Sequence, residues 1–128
     1  MAIQVRETKQ KKAIREAFTA AGRPLSPEEA QLEAAKLVEG ISVATIYRNI
    51  HALLDDAWLS TVEVPGQPSR YEIAGKGHHH HFHCMQCGRI YDLEGCSLQL
   101  NPKLPRGFHV TSHELFLYGT CVNCAAAH

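Results

Sequence analysis

The fold is decided by the stretch SVATIYRNIHALLDDAWLSTVEVPGQPSRYEI, residues 42–73. Its first part predicts a helix over 43–56, because Ser42 can cap the N-terminus and apolar residues recur every three or four positions. The apolar period then falls to two, which predicts short strands over 58–64 and 69–73 on either side of a turn rich in proline and glycine. The stretch is therefore expected to be a helix that leads into a hairpin.

Two more helices are predicted before this stretch. An amphipathic stripe indicates a helix over 8–21, which Gly22 and Pro24 would end. The tetrapeptide SPEE at 26–29 is typical of a helix start, and that helix would run to about Glu39. Three helices followed by a hairpin are the order of a winged helix-turn-helix, whose third helix enters the major groove of DNA. Small helical bundles with a hairpin also serve unrelated purposes, so the pattern alone leaves that alternative open.

The composition changes after a short Gly-Lys-Gly link, where histidine and cysteine become frequent and helix signals fade. We therefore predict a winged-helix domain over 1–74, a hinge over 75–77 and a second domain over 78–128. Pro102 and Pro105 would break any long helix in the second domain. Strands are expected there over 82–84, 89–93 and 108–118.

Charge and length exclude some classes of protein. The chain has 128 residues and a formal net charge of zero, which predicts no particular partner. No run approaches the roughly 20 apolar residues that cross a bilayer, and the polar residues 1–12 are unlike a secretory signal. We expect a cytoplasmic protein, in which five cysteines favour metal binding over disulfides. A basic cluster near the N-terminus could contact phosphates or form a solvated helix face. Its members are Lys9, Lys11, Lys12 and Arg15.

Two Cys-x-x-Cys pairs, CMQC at 84–87 and CVNC at 121–124, predict a metal site. Two residues between the thiols let both sulfurs turn towards one ion, at about 2.3 Å for zinc. Four thiolates complete tetrahedral Zn(II) and leave no open position, so the site would be structural. The alternatives are free buried thiols or two redox pairs, although neither pair has the strand-to-helix context of a redox motif. The predicted ligands are Cys84, Cys87, Cys121 and Cys124.

The histidine run HHHHFH at 78–83 leads directly into the first cysteine pair. Side chains of a strand alternate between its two faces, and neutral imidazole binds Zn, Fe, Ni and Cu, so the run could supply two metal sites. The alternative is an exposed histidine patch that binds metal ions only adventitiously. One face would carry His79, His81 and His83, and the other His78 and His80.

Several motifs, taken in this order, resemble the ferric uptake regulator (Fur) family. They are SVATIYR at 42–48, RYE at 70–72, the histidine run, CMQCG at 84–88 and LYGTCVNC at 117–124. The match extends from about Thr8 to Cys124. It implies an α+β fold, in which an N-terminal winged helix-turn-helix domain is followed by a small C-terminal α/β dimerisation domain with a four-cysteine zinc site. It further implies a dimeric repressor of operator DNA with a regulatory metal between its domains.

The resemblance also implies roles for individual residues. DNA contacts would come from Thr45, Tyr47, Arg48 and Asn49 of the third helix and from Lys9, Lys11, Lys12 and Arg15. A regulatory hinge site would use Glu72, His79, His81 and Asp92. A third site would use His78, His80, Cys96 and His113.

Departures from the family's pattern bear on the metal. Many iron and peroxide sensors of the family take another histidine from the loop before the second helix, where this chain has Arg23-Pro24-Leu25. The hinge site is left with two nitrogens and two carboxylates, which suit tetrahedral Zn(II) better than five- or six-coordinate iron. Cys96 would be a soft ligand or else a buried structural thiol. One observation argues against zinc, because zinc sensors of the family often carry a cysteine where this chain has Glu72.

The predicted function is a metal-responsive repressor, not an enzyme, that binds double-stranded operator DNA as a homodimer and needs neither a membrane nor a small organic substrate. We favour zinc uptake genes as its targets and Zn(II) over Fe(II) or Mn(II) as its regulatory metal. An iron-responsive or peroxide-sensing repressor of the same family is the first alternative. A zinc enzyme would need an open metal position with a placed acid or base, and a metal store would not need the third helix. Salt-dependent binding to duplex DNA separates the repressor from both.

Overall fold

Three capped helices begin the chain in the computed structural model, which describes residues 8–95 and 103–126. The side-chain oxygens of Thr8, Ser26 and Ser42 each accept a hydrogen bond from the backbone N–H three residues later. Each cap satisfies a donor that the first helical turn leaves without an intrahelical partner, and this fixes where the helix begins. The helices are α1 (Lys9–Ala21), α2 (Pro27–Ala35) and α3 (Val43–Asp55).

A two-stranded antiparallel hairpin follows, made of β1 (Leu59–Val62) and β2 (Arg70–Ile73). Two backbone hydrogen bonds between Leu25 and Tyr71, of 2.8 and 2.9 Å, attach β2 to the loop before α2. The hairpin is therefore held against the helices, and the arrangement is the winged helix-turn-helix that the sequence predicts.

The apolar stripes of α1 and α3 form the core of this first part of the chain. Ile14 and Phe18 of α1 and Ile46 and Ile50 of α3 are all at most 1% exposed. Complete burial of such side chains stabilises a fold by about 1.5–3 kcal/mol each. The core also contains Leu25, Ala30, Ala34, Ile41, Leu53 and Leu59.

A three-stranded sheet and a short helix make up the remainder. The elements are β3 (His79–Cys84), β4 (Ile90–Glu94), β5 (Phe116–Gly119) and α4 (Val122–Ala126). The strand order is β4-β3-β5, with β4 antiparallel and β5 parallel to the central β3. The chain divides into two compact units, Met1–Gly75 and Lys76–His128. No helix in the described ranges is long and apolar enough to cross a membrane.

Several boundaries differ from the sequence-based expectations. Helix α2 ends at Ala35 and not at Glu39, because the N–H of Lys36 turns to the carbonyl of Glu33 in a tighter turn. Strand β3 begins at His79 and not at residue 82. Of the strand expected over 108–118, only its end is formed, since 116–119 are the residues that pair with β3. Helix α4 was not predicted at all, and Pro102 lies outside the described residues.

Candidate metal centres and nucleic-acid surface

The cysteines of the two Cys-x-x-Cys pairs converge in the second unit. Cys84 ends β3, and Cys87 lies in the turn before β4. Cys121 immediately precedes α4, and Cys124 lies in the middle of that helix. Their sulfur atoms all lie within 4.8 Å of one another, and Sγ of Cys87 is 3.9 Å from Sγ of Cys121. Sulfurs on a tetrahedral zinc with bonds of about 2.3 Å are about 3.8 Å apart. The cluster can therefore hold a structural zinc.

Hydrogen bonds favour the thiolate form of two of these four cysteines, Cys84 and Cys121. The backbone N–H groups of Cys87 and Cys121 donate to Sγ of Cys84 over 3.5 and 3.4 Å, and they lower the pKa of Cys84 to about 6. The pKa of Cys121 is lowered by the backbone of Cys124 and by the hydroxyl of Tyr91. Burial, together with the neighbouring thiols, raises the pKa of Cys124 to about 12. Because the pKa of Cys124 is raised, all four thiols can be deprotonated together only when a cation such as Zn(II) compensates their negative charge.

One face of β3 contributes to a group of three histidines. The Nε2 atom of His113 lies 3.2 Å from Nε2 of His78 and 3.2 Å from Nε2 of His80. Imidazole nitrogens on a tetrahedral zinc with bonds of 2.0–2.1 Å are about 3.3 Å apart, so the spacing fits a metal ion. Burial lowers the pKa of His80, and the imidazoles of His78 and His113 lower it further, which favours the neutral ligand form. Cys96, the fourth expected member, lies outside the described residues.

The opposite face of β3 carries His79 and His81, which approach Asp92 of β4. The Oδ1 atom of Asp92 lies 3.5 Å from Nε2 of His81 and 3.8 Å from Nε2 of His79. The Nδ1–H of His79 donates to the carbonyl of Gly77 over 2.8 Å, and this bond leaves Nε2 as the atom that can bind a metal. Two imidazoles and one carboxylate are a suitable partial ligand set for a divalent transition metal.

Two further charged residues are Lys76, which contacts Asp92, and Glu72, which lies in the first unit. The ammonium group of Lys76 donates to Oδ2 of Asp92, the carboxylate oxygen other than the one near the histidines. Nothing in the sequence pattern pointed to this ion pair, because 16 residues separate its members and only the pairing of β3 with β4 brings them together. Glu72, the remaining expected hinge ligand, lies on β2 in the first unit and is buried.

Of the eight residues that the resemblance assigned to DNA binding, four lie on α3, and two of these four are exposed. Tyr47 and Arg48 are exposed, and Tyr47 lines a cleft of about 470 Å³ beside the hairpin residues Gln67 and Arg70. Thr45 is buried, and the half-buried Asn49 donates from its side-chain amide to the carbonyl of Thr45 over 2.9 Å. Only Tyr47 and Arg48 thus combine polarity and exposure on this turn of the helix.

The basic cluster of α1 is divided in its contacts. Lys9 and Lys12 are exposed. Lys11 forms an ion pair of 3.3 Å with Asp56, and the guanidinium of Arg15 lies 5.1 Å above the centre of the Trp58 ring. Such a cation–π contact contributes about 0.5–1 kcal/mol at exposed sites. Lys9 and Lys12 are therefore the members most available to phosphates.

Comparisons with known proteins agree with this architecture. The sequence model of the ferric uptake regulator family matches residues 2–118. A ferric uptake regulation protein of Campylobacter jejuni is 28% identical over 122 residues, which cover 91% of this chain and 78% of that protein. The solved Helicobacter pylori ferric uptake regulator, reported to have three functional metal binding sites, is 24% identical with a TM-score of 0.64 over 94% of this chain and 82% of its own. A zinc-bound manganese uptake regulator is 22% identical, with a TM-score of 0.74 over 92% of each chain. The chain belongs to the ferric uptake regulator family, whose members are metal-responsive transcription regulators and not enzymes.

Proposed function

We propose that this chain is a cytoplasmic repressor that binds operator DNA as a homodimer when a regulatory Zn(II) is bound, and that it controls zinc uptake genes. The observation that carries the proposal is the convergence of His79, His81 and Asp92. His79 and His81 lie on β3, the strand that ends at Cys84 of the four-cysteine cluster, and Asp92 lies on the neighbouring β4. The ligand atoms of these three residues are nevertheless separate from the thiols. A structural metal and a sensed metal can therefore be bound independently.

The regulatory site would be completed by Glu72, as the family resemblance implies. Glu72 belongs to the first unit, whereas His79, His81 and Asp92 belong to the second. An ion that takes ligands from both units favours one arrangement of the units over others. The affinity for the metal then becomes a preference for the arrangement that binds DNA, which couples the two binding events.

Zinc is proposed as the regulatory metal on the chemistry of the donors. Two imidazoles and two carboxylates make four ligands, the usual number for Zn(II), whereas iron sites of the family take five or six. The loop before α2 offers no further nitrogen ligand at 23–25, where Pro24 is fully buried. The relatives are named for iron and for manganese, so an iron-responsive or peroxide-sensing repressor is the alternative that the experiment must separate.

The DNA surface would be centred on α3. The exposed Tyr47 and Arg48 would enter the major groove, where an arginine can donate two hydrogen bonds to a guanine edge. The exposed Lys9 and Lys12 of α1 would add phosphate contacts, which makes binding weaken steeply as the salt concentration rises.

The test is fluorescence anisotropy with a labelled duplex in metal-buffered, anaerobic solution. The probe is a duplex that the metal-loaded protein itself selects from a randomised pool, and a scrambled duplex is the control. We expect specific binding at tightly buffered free Zn(II), whereas activation by Fe(II) alone would assign the chain to the iron or peroxide branch. A peroxide challenge then separates those two. Absence of specific binding with either metal would contradict the repressor proposal.

The matched variants for this experiment are His81→Ala and His109→Ala. His81 faces Asp92, whereas His109 is an exposed histidine that belongs to none of the three ligand groups. We expect His81→Ala to remain a folded dimer and to lose its response to the metal, and His109→Ala to respond as the wild type does. If His81→Ala still binds DNA in a metal-dependent way, the assignment of the regulatory site is wrong.

A further inference from the structure

Thr45 of helix α3 is placed differently from its exposed neighbours Tyr47 and Arg48. It is 7% exposed, at the first turn of the helix, and its side chain faces the protein and not the solvent. Its hydroxyl oxygen accepts two hydrogen bonds, one from Oγ of Ser42 over 3.0 Å and one from Nη2 of Arg48 over 3.2 Å. A buried hydroxyl that is engaged in this way is poorly placed to reach a phosphate or a base edge itself.

We propose that Thr45 is a positioning residue, which does not contact DNA but holds the guanidinium of Arg48 in the orientation that binds it. The proposal rests on the proposed function, because it assumes that Arg48 contacts DNA. It replaces the direct DNA contact that the family resemblance suggested for Thr45.

The hydrogen bonds around Thr45 leave its hydroxyl oxygen little choice of partner. The cap residue Ser42 accepts a hydrogen bond from the backbone N–H of Thr45 over 3.1 Å and returns one to the Thr45 hydroxyl oxygen. A hydroxyl oxygen has two acceptor positions, so the second is directed to Arg48. The guanidinium has five N–H donors, and the contact with Thr45 uses one and leaves four for DNA.

This contact matters for affinity because a free arginine side chain samples many rotamers. Fixing a long side chain at an interface lowers the affinity by about two- to tenfold. A guanidinium that is already held by Thr45 incurs less of this loss when DNA binds. The carbonyl of the same residue accepts a hydrogen bond from the side-chain amide of Asn49, so Thr45 bonds to the side chains of two polar residues of α3.

The variants Thr45→Val and Thr45→Ser separate positioning from simple helix stability. Valine has the shape of threonine but lacks the acceptor, and it retains the backbone N–H that bonds to the Ser42 cap. Ser42 is exposed and can donate to water once its partner is removed. Serine keeps the hydroxyl oxygen and loses only the methyl group. Thermal melts followed by Trp58 fluorescence check that both variants keep the stability of the first unit.

The experiment is a double-mutant cycle in the zinc-loaded full chain, with anisotropy on the selected duplex as the readout. We expect Thr45→Val to weaken binding by about three- to tenfold, Thr45→Ser to bind nearly as the wild type does, and Thr45→Val to have no further effect in an Arg48→Ala background. The dependence of the affinity on salt should keep its slope in Thr45→Val, because no phosphate contact is lost.

Three outcomes would overturn the proposal. Equal losses from Thr45→Val in both backgrounds would mean that Thr45 acts without Arg48, by direct contact or through the fold. An unchanged affinity of Thr45→Val would mean that Arg48 needs no support. An Arg48→Ala variant that binds like the wild type would remove the role of Arg48, whereas failure of the repressor proposal itself would show in the absence of binding by the wild type.

Discussion

Asp92 is the residue at which two cations would compete. One of its carboxylate oxygens faces His79 and His81, and the other accepts a hydrogen bond from the ammonium group of Lys76. The Lys76 side chain is 27% exposed and that of Asp92 16%, so the pair is partly shielded from water. A lysine held on a metal-binding carboxylate lowers its affinity for the metal, because the ammonium charge repels the incoming ion.

The substitution Lys76→Met tests this competition. We expect it to tighten metal binding at the proposed regulatory site by about two- to fivefold, the range that a partly exposed ion pair can account for. The affinity is measured by competition against a chromophoric chelator. All variants carry His80→Ala, which disables the group of His78, His80 and His113. The matched control is Lys36→Met. Lys36 is an exposed lysine at the C-terminal end of α2 in the first unit, where it pairs with Glu33. Weaker binding by Lys76→Met, or an equal gain in the control, would refute the competition.

At the scale of the elements, the start of α2 is where loop, helix and hairpin are joined. Glu29 accepts a hydrogen bond from the N–H of Ser26, which in turn caps the N–H of Glu29. The same carboxylate pairs with Arg23 at 2.9 Å and with Arg70 of β2 at 3.2 Å. One side chain thus secures the helix start and also ties the hairpin to it.

The pKa of Glu29 makes this junction sensitive to acid. Burial raises the pKa, but the bond from Ser26 and the charges of Arg23 and Arg70 outweigh it, so the net pKa is lowered from the usual 4.5. A lowered pKa in the folded state means that the carboxylate stabilises the fold fully above the unfolded pKa and loses this effect as the pH falls through the folded value. The contribution of Glu29 should therefore be complete at neutral pH and be lost as the pH falls from 4.5 through the lower folded-state value.

Glu29→Gln is expected to lower the free energy of unfolding of the first unit by about 1–2 kcal/mol at pH 7. The difference from the wild type should shrink as the pH is lowered below 4.5, the usual value for glutamate. Urea unfolding can be followed through Trp58, the single tryptophan, which packs against the core of the first unit. Glu33→Gln, in an exposed ion pair, is the control. An equal loss of unfolding free energy in Glu29→Gln and Glu33→Gln would mean that the contacts of Glu29 stabilise the first unit no more than an exposed ion pair does.

The elements differ in how well the sequence predicts them, and the reason is the distance over which each is determined. Helices α1 and α3 are predicted well because their caps and apolar stripes are local signals. Strand β5 is overestimated, because its length depends on which residues pair with β3, more than 30 positions earlier in the chain. The meeting of His113 with His78 and the contact of Lys76 with Asp92 are likewise set by sheet pairing and not by any nearby motif.

The grouping of the candidate ligands could be inferred more fully than the extent of the strands. Alternation along β3 separates His78 and His80 from His79 and His81, as the sequence predicted. The spacing within each cysteine pair indicated a shared site, and the four sulfurs do converge. What the sequence could not show is that Thr45 is buried, since a single polar residue in the first turn of α3 carries no local signal of its orientation.

At the scale of the whole molecule, the two units differ in what stabilises them. The core of the first unit contains apolar side chains from all three helices and from β1. In the described part of the second unit, the buried residues that count as apolar are Cys84, Ile90 and Cys121, and two of these belong to the four-cysteine cluster. A lobe with so little apolar burial needs another source of stability, which a bound metal can supply.

Loss of the zinc should therefore unfold the second unit and spare the first. We expect Cys87→Ser, or chelation of the wild type, to abolish amide protection in β3, β4 and β5, because the free energy of zinc binding is coupled to the folding of a small site. The unfolding transition seen by Trp58 should keep its midpoint, since that residue packs on the core of the first unit. Hydrogen exchange read by mass spectrometry reports on the strands of the second unit. The fluorescence of Trp58 reports on the first unit. Cys96→Ser removes a thiol outside both pairs and should keep one zinc per chain in the cluster. If Cys87→Ser retains its zinc and its protected strands, the sheet is stable by itself and the four-cysteine site is not what holds it.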